Sequence, residues 1–243
     1  LPGDNQERWL NSIQKNMELK IQQQRSFALH IVPNTTMAHP EYQEKYKMKT
    51  KKVLVPNDLY LKRTDFYHET RRGQKTYTAS QFGDVSEYQE FELLYECFSF
   101  DSQELMKIYD VWFWFNTLYN SKVARDWMLD SGDSAHVQFR NFMTNIENGN
   151  MPFFKKLLDE FRFGVWHTIA KPEPVTKLTE LYLVNLAFKF IFRGNEVVEI
   201  YDNQEVALRE LRYLFPEIDF SHFNPRYKTN PRTLYFLNAD VTI

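Results

Sequence analysis

Apolar residues recur at helical spacing through the middle of the chain, from about residue 86 to residue 170. In one series Phe139, Phe142 and Ile146 are three or four residues apart, which places them on one face of an α-helix. A second series begins at Phe153 and runs towards Trp166. The pattern predicts a helical block in the centre of the chain.

Residues that favour helix ends stand at the borders of these series. Two pairs have the spacing of a capping box, Ser86 with Gln89 and Asp101 with Glu104. Asp133 or Ser134 can cap the helix that ends at Asn148-Gly149, where glycine closes the last turn. Asn150 is expected to cap the next helix, with Pro152 in its first turn. These end signals support the helical interpretation.

The first third of the chain carries one helical pattern and then a long stretch without one. Apolar residues about four apart predict a helix over residues 5–25, and residues 27–32 predict a strand. From residue 34 to about residue 83 helical periodicity is absent, and short runs such as 52–55 favour strand. Such a stretch is unusual inside a compact domain. We therefore expect an extended arm that is ordered by contacts outside the compact body.

Two alternating runs follow in the C-terminal third. Residues 188–192 and 196–200 alternate at period two, and Gly194-Asn195 lies between them, a combination that favours a β-hairpin. A helical interpretation of the same residues stays open. Asp202 and Glu205 then have the spacing that opens a short helix.

Together these patterns predict an α+β fold. Its parts are a helical central block at about residues 86–170, an extended, irregular N-terminal arm, and a small C-terminal β-hairpin plus helix. The expected domains are residues 1–83, with the N-terminal helix and the arm, and residues 84–243, with the helical core and the C-terminal mixed α/β element. A chain of 243 residues with 43% hydrophobic residues is large enough to bury a core.

The charged residues fall into two adjacent segments of opposite sign. Residues 45–75 carry ten basic and three acidic residues, a net charge of +7. Residues 84–104 carry seven acidic residues and no Lys or Arg, a net charge of −7. The formal charge of the whole chain, −2, hides this separation. The charge layout is the most informative feature of the sequence.

Three interpretations of this layout are open. In the first, the basic segment lies along an acidic helix and the charges neutralise each other, with surface pairs contributing about 0–1 kcal/mol each. In the second, each segment faces a different partner protein. In the third, the basic segment contacts nucleic-acid phosphates, because aromatic residues that can stack on bases are interleaved with it. The candidate phosphate-contacting residues are Lys47, Lys49, Lys51, Lys52, Arg71 and Arg72.

Residues 108–115 are apolar almost all round if they form a helix. Such a helix is either enclosed by its own protein or shares a face with a neighbour. Aromatic residues are enriched as anchors in protein interfaces. The candidate partner-binding residues are Trp112, Trp114, Phe115, Tyr60 and Phe66. Burial in the chain's own core is the other interpretation of the helix.

Known catalytic and metal-binding motifs are missing from the sequence. The six histidines form no ligand motif, and the single cysteine, Cys97, can build neither a thiolate zinc site nor an intrachain disulfide. Gly-rich phosphate loops and the G-x-S-x-G pattern are also absent. We therefore expect no metal and no cofactor. Residues 65–69 place His68 between carboxylates, which is typical of a solvated surface.

The sequence favours a non-catalytic accessory or structural subunit packed within a larger protein assembly. Its longest strongly apolar stretch, residues 111–121, is shorter than the ~20 residues that span a bilayer. We expect an intracellular protein, and an organelle interior such as the mitochondrion fits equally well. The alternatives are a subunit that contacts nucleic acid through the basic aromatic segment 45–77, and an enzyme whose site is assembled from distant residues.

Overall fold

A computed structural model describes residues 2–21, 30–56, 88–193 and 195–217. Within these ranges the chain forms nine α-helices and a two-stranded antiparallel sheet. The predicted α+β class with a helical block is confirmed. None of the described helices is long and apolar enough to cross a lipid bilayer.

The helices are α1 Gln6–Glu18, α2 Pro40–Lys45, α3 Ser102–Phe115, α4 Arg125–Asp130, α5 Ala135–Glu147, α6 Pro152–Val165, α7 Leu181–Arg193, α8 Asn195–Asp202 and α9 Gln204–Leu211. The strands are β1 Lys49–Pro56 and β2 Tyr88–Glu96. Helices α3 and α6 each continue as a wider π-helical turn, Asn116–Asn120 and Trp166–Ala170 respectively.

Several predicted helix ends are confirmed by their hydrogen bonds and backbone angles. Asp101 accepts the backbone N–H of Glu104 at 2.8 Å at the start of α3. Ser134 accepts the N–H of Val137 at 3.3 Å at the start of α5. Gly149 follows α5 with a φ of 77°, a left-handed conformation in which a side chain would be strained.

The two strands form a short ribbon that belongs to the body of the protein. Val53 lies opposite Phe91, and both are buried. One edge of the ribbon is extended by Val175, whose carbonyl accepts the N–H of Leu54 at 2.8 Å. The other edge is met by Ile31, whose N–H donates to the carbonyl of Glu92 at 2.7 Å. Both edges of the ribbon therefore make main-chain contacts with other parts of the chain.

This ribbon corrects the predicted arm and the predicted start of the helical block. Residues 49–56 of the arm pack into the chain's own core, whereas residues 57–87 lie outside the described residues. Residues 88–96 are strand rather than helix, because glutamates alternate with buried Phe91 and Leu93 at period two. The helical block begins at Ser102. The ribbon joins strands from the two predicted domains.

The predicted C-terminal hairpin is wrong. Residues 181–193 and 195–202 form helices α7 and α8. Val184, Ala187, Phe188 and Ile191 are all buried, and their spacing of three and four residues places them on one helical face. The period-two alternation covers only residues 188–192, whereas the helical spacing of apolar residues extends over the whole of α7 and determines its structure. The short C-terminal helix that was predicted is confirmed as α9.

Helix α6 lies at the centre of the helical core and packs against α3, α5, α7 and α9. Its Phe161 is fully buried, with ring centroids 5.3 Å from Trp112, 5.3 Å from Phe113 and 5.5 Å from Phe190. Aromatic pairs at such distances stabilise a core by more than their buried area alone. The aromatic residues of α3 are thus part of the core.

The two ends of α6 are bound by charged side chains from distant parts of the chain. At its N-terminus the carboxylate of Glu210 accepts the N–H groups of Phe153 at 2.9 Å and Phe154 at 3.1 Å. At the far end of the π-helical turn, Lys51 Nζ donates to the carbonyls of Lys171 at 2.7 Å and Glu173 at 3.2 Å. Both charges have the sign that the helix dipole favours.

Candidate partner-binding surface

Three aromatic rings form a cluster at the surface beside the ribbon. Tyr42 lies on α2, and Tyr46 follows one turn later as the residue that ends the helix. Their ring centroids are 4.5 Å apart. The ring of Phe98 lies 5.9 Å from that of Tyr46. Phe98 is 55% exposed, although it is a large apolar residue. We call Tyr42, Tyr46 and Phe98 the aromatic surface.

Local backbone structure holds Phe98 outwards. Its neighbours in the turn, Cys97 and Phe100, are buried and exchange two main-chain hydrogen bonds of 2.9 and 3.3 Å. The N–H of Phe98 donates to the carbonyl of Tyr46 at 2.9 Å, which ties the turn to α2. The exposure of Phe98 is therefore set by an ordered turn at the end of β2.

An open cleft of about 690 Å³ adjoins the aromatic surface at Phe98. It lies where the N-terminal ends of α1 and α3 meet the turn of residues 97–100. Among the residues that line it are Glu7, Phe98, Ser99, Asp101, Glu104 and Lys107. Three of these side chains are carboxylates and one is an ammonium group, so the lining carries a formal charge of −2.

The floor of the cleft is held by hydrogen bonds between α1 and α3. Glu104 accepts the N–H of Gln6 at 2.9 Å and lies 3.2 Å from Lys107 Nζ. Ser99 Oγ accepts the N–H of Gly3 at 2.8 Å. These bonds fix the two helix ends relative to each other, so the shape of the cleft is set before anything binds.

The candidate phosphate-contacting lysines lie in three different environments. Lys47 is exposed, on a backbone with a φ of 49°. Lys49 pairs with Glu96 at 2.7 Å, and Lys52 pairs with Glu90 at 2.7 Å. The side-chain hydrogen bond to each glutamate raises the pKa of its lysine.

Lys51, the fourth of these lysines, is buried against main-chain carbonyls just beyond the π-helical turn that continues α6. Its burial lowers its pKa to about 8. Arg71 and Arg72 lie outside the described residues. The four described lysines therefore form no continuous cationic surface.

The pairs across the ribbon support the first interpretation of the charge layout. Lys49 and Lys52 lie on β1, and their glutamate partners lie on β2. The basic and acidic segments neutralise each other here between two neighbouring strands. The first interpretation had expected an extended arm along a helix. Opposite charges at such cross-strand positions help to set the register of a sheet.

The candidate partner-binding aromatic residues of α3 are buried. Trp112, Trp114 and Phe115 are each less than 10% exposed, which favours their interpretation as core residues. Tyr60 and Phe66 lie outside the described residues. The exposure of Phe98 was not predicted, because nothing in its local sequence separates it from the buried Phe91 and Phe100.

The cysteine and one histidine of the described residues lie in packed environments. Within the described residues, no group of three His, Cys, Asp or Glu side chains could hold a metal ion. Cys97 is buried, with its sulfur 3.3 Å from Ser99 Oγ. His167 packs on the ring of Phe163, with the centroids 4.5 Å apart, and burial lowers its pKa.

No protein family model, curated protein or solved structure matches this chain. Inference about its function therefore rests on its own residues.

Proposed function

We propose that this protein is a non-catalytic accessory subunit that binds a partner protein through the aromatic surface and the adjoining cleft. The observation that carries the proposal is the exposure of Phe98 beside Tyr46 on an ordered turn. Large aromatic side chains in such positions are typical anchors of protein interfaces.

The cleft supports an extended segment of the partner as the occupant. Its carboxylates, Glu7, Asp101 and Glu104, outnumber its single ammonium group, Lys107. A basic side chain and the main-chain N–H groups of a strand-like segment complement such a lining. An apolar side chain of the same segment would pack on Phe98. We propose this segment, with one cationic and one apolar residue, as the bound element.

The structure of the ribbon also fits a subunit that is held together independently of its partner. The edges of β1 and β2 make main-chain contacts with Val175 and Ile31. Such contacts reduce the tendency of a sheet edge to pair with another chain. The proposed interface therefore uses side chains rather than strand addition.

The proposal is tested with matched phenylalanine substitutions in the full chain. Phe98→Ala removes the anchor, and Phe163→Ala is its control, because Phe163 is 48% exposed on α6. Tagged wild-type and variant chains are purified gently from the native source, and stoichiometric companions are quantified by mass spectrometry. We expect Phe98→Ala to lower recovery of the companion at least tenfold and Phe163→Ala to leave it unchanged, since an anchor contributes about 2 kcal/mol or more.

Two results would contradict the proposal. One is equal recovery of the companions by both variants at equal thermal stability. The other is a wild-type chain that elutes as a monomer with no stoichiometric companion.

Nucleic acid is the second candidate partner, because the exposed lysines Lys45 and Lys47 flank Tyr46 in the sequence. Lys45 Nζ lies 5.3 Å from the centroid of the Tyr46 ring. Exposed lysines beside an aromatic ring can bind phosphate while a base stacks. The test is binding of a fluorescent single-stranded oligonucleotide as a function of salt. Binding that weakens with salt and is lost in a Lys45→Gln, Lys47→Gln variant favours this candidate, and no binding at low salt rejects it.

A further inference from the structure

The cleft presents two exposed carboxylates at the surface of the protein. Glu7 and Asp101 are exposed, whereas Glu104 is half-buried and lies against Lys107. Glu7 also lies 3.1 Å from His136, which carries a charge only when it is protonated. With one ammonium group against three carboxylates, the lining is net negative. An occupant of complementary charge is therefore net positive.

A segment of this chain has that charge. Residues 220–239, which we call the distal segment, contain no Asp or Glu and carry a net charge of +3, from Arg226, Lys228 and Arg232. Tyr227 and residues 234–236 place aromatic and apolar side chains between and beside these basic residues. The distal segment thus combines the cationic and apolar side chains that suit the cleft and the aromatic surface.

The cleft and the last described helix lie at opposite ends of α6. At one end, Glu210 of α9 accepts the N–H of Phe153. At the other end, Ser102, beside the cleft, donates to the carbonyl of Ala170 at 2.6 Å. The helix and its π-helical turn, residues 152–170, span about 25 Å at a rise of about 1.5 Å per residue.

The distal segment is long enough to cover this distance. The last described residue is Glu217, and an extended chain advances about 3.3 Å per residue. Arg226 therefore lies within about 30 Å of Glu217, and Arg232 within about 50 Å. Linkage within one chain raises the effective concentration of a segment to about the millimolar range. A weak contact of a few charges is then sufficient for occupancy of the cleft.

We propose that the distal segment binds in the cleft of its own chain, with basic side chains against Glu7 and Asp101, until a partner segment displaces it. The inference rests on the proposed function in treating the cleft as a binding site. Occupation from within the chain reduces the apparent affinity for the partner in proportion to the fraction of open clefts. The distal segment is thus an autoinhibitory element of the proposed interface.

Zero-length cross-linking of the purified full chain tests this contact. A water-soluble carbodiimide activates a carboxylate, the Lys228 amine attacks the activated carbonyl, and an amide bond forms as the carbodiimide leaves as its urea. Mass spectrometry of the digested protein identifies the linked peptides. We expect links from Lys228 to Glu7 or Asp101. Lys228→Arg keeps the charge without the reactive amine, so these links should disappear in that variant.

Equal amounts of isotope-labelled and unlabelled chains separate binding within a chain from binding between copies. Links within one chain join peptides of the same isotope, whereas links between two copies also give mixed pairs. Mixed pairs at the frequency of random pairing would overturn the proposal. It would also be overturned by the lack of any link between Lys228 and the cleft, or by links to the cleft that come only from Lys62 or Lys75.

Two double variants with the same loss of charge test the basic side chains. Arg226→Gln with Arg232→Gln keeps the reactive Lys228 and should lower the yield of its links to the cleft about three- to tenfold, because opposite-charge contacts are lost. Lys156→Gln with Lys177→Gln removes the same charge from exposed positions elsewhere and should leave the yield unchanged. Equal yields in the two double variants would overturn the proposal.

The cross-links and the companion assay with Phe98→Ala fail separately. The cross-links are measured on the purified chain and need no partner. A Lys228 link to the cleft without a companion that depends on Phe98 contradicts the proposed function and supports the autoinhibitory contact. A companion that depends on Phe98 without the Lys228 link supports the proposed function and overturns the autoinhibitory contact.

Discussion

Lys51 and Glu210 bind opposite ends of the same helix, and neither residue belongs to it. Glu210 lies on α9 and accepts the first N–H groups of α6. Lys51 lies on β1 and donates to carbonyls just beyond the π-helical turn that continues α6. The central helix is therefore connected at one end to the C-terminal helices and at the other to the ribbon. Its dipole is compensated by a carboxylate and an ammonium group in the favourable order.

Glu210→Gln should destabilise the protein by about 1–3 kcal/mol, because a neutral amide replaces the carboxylate that binds two helix N–H groups. The free energy of unfolding is measured by urea denaturation. Glu205→Gln is the control, since Glu205 is exposed on the same helix. An equal decrease in the free energy of unfolding in the two variants would show that the contact of Glu210 with α6 does not stabilise the protein.

Lys51 should make stability rise with pH in the alkaline range. Burial is the main cause that lowers its pKa from 10.5 to about 8, and Lys171 adds to it. Between these two values the unfolded chain binds more protons than the native state, so the free energy of unfolding rises with pH. Below pH 8 the cost of the buried charge is constant.

The variant Lys51→Met isolates this contribution. Between about pH 7.5 and about pH 10, the free energy of unfolding of the wild type should rise by about 1–2 kcal/mol relative to that of Lys51→Met. The remaining solvent contact of the side chain keeps the change below the full shift. Urea denaturation at each pH measures it. A difference that stays constant with pH contradicts the prediction.

The start of α6 illustrates how much of the fold could be predicted from the sequence. Pro152 in the first turn correctly marks the helix start, because proline's effect is local. Asn150 was predicted as the cap, but the residue at that position is Met151, with no side-chain cap bond. Glu210 binds the free N–H groups instead, from 57 residues away. Local sequence carries no sign of such a tertiary contact.

The candidate site shows the same limit. Tyr46 was visible as one of several aromatic residues within a basic segment, but exposure distinguishes Phe98 from Phe91 and Phe100. That exposure depends on a hydrogen bond between the turn and α2. Neutralisation of the two charged segments was one of three open interpretations, and the pair of Lys49 and Glu96 agrees with it. Strand pairing was not foreseen, because a capping-box spacing at Ser86 outweighed the alternation that follows it.

Asp110 and Arg162 should couple more strongly than an exposed ion pair. Arg162 donates to both carboxylate oxygens of Asp110, at 2.7 and 2.8 Å, and the hydrogen bond raises the pKa of the arginine. Asp110 is buried on α3, so removal of Arg162 leaves an unpaired carboxylate in the protein interior. A double-mutant cycle with Asp110→Asn and Arg162→Met, each of which removes one charge, should give a coupling energy of about 1–3 kcal/mol.

The exposed pair of Lys155 and Asp159 on α6 is the control for this cycle. Its coupling energy should not exceed about 0.5 kcal/mol, because both groups are solvated. Chemical denaturation of the single and double variants gives both values. Equal coupling in the two cycles would show that burial adds nothing to the bond between α3 and α6.

Gly164 should be the most sensitive small residue of α6. A Cβ added there would lie 2.5 Å from the backbone N of Ala187 and 2.7 Å from the backbone carbonyl carbon of Leu186. Both atoms belong to the main chain of α7 and cannot turn away as a side chain would. Alanine favours an isolated helix over glycine by about 1 kcal/mol. Here overpacking should outweigh that gain, so Gly164→Ala lowers the free energy of unfolding by about 1–3 kcal/mol.

Gly132→Ala provides the contrasting control. Nothing lies within 4 Å of its added Cβ, but its φ of 72° strains a side chain, so a loss of about 1 kcal/mol is expected from backbone conformation alone. A second substitution, Ala187→Gly, tests whether the clash in Gly164→Ala involves a side chain of α7. Ala187→Gly should not rescue Gly164→Ala, because the clash is with main-chain atoms. Rescue by Ala187→Gly would place the clash at the Ala187 side chain, whereas a Gly164→Ala protein as stable as wild type would mean that α6 and α7 can separate at little cost.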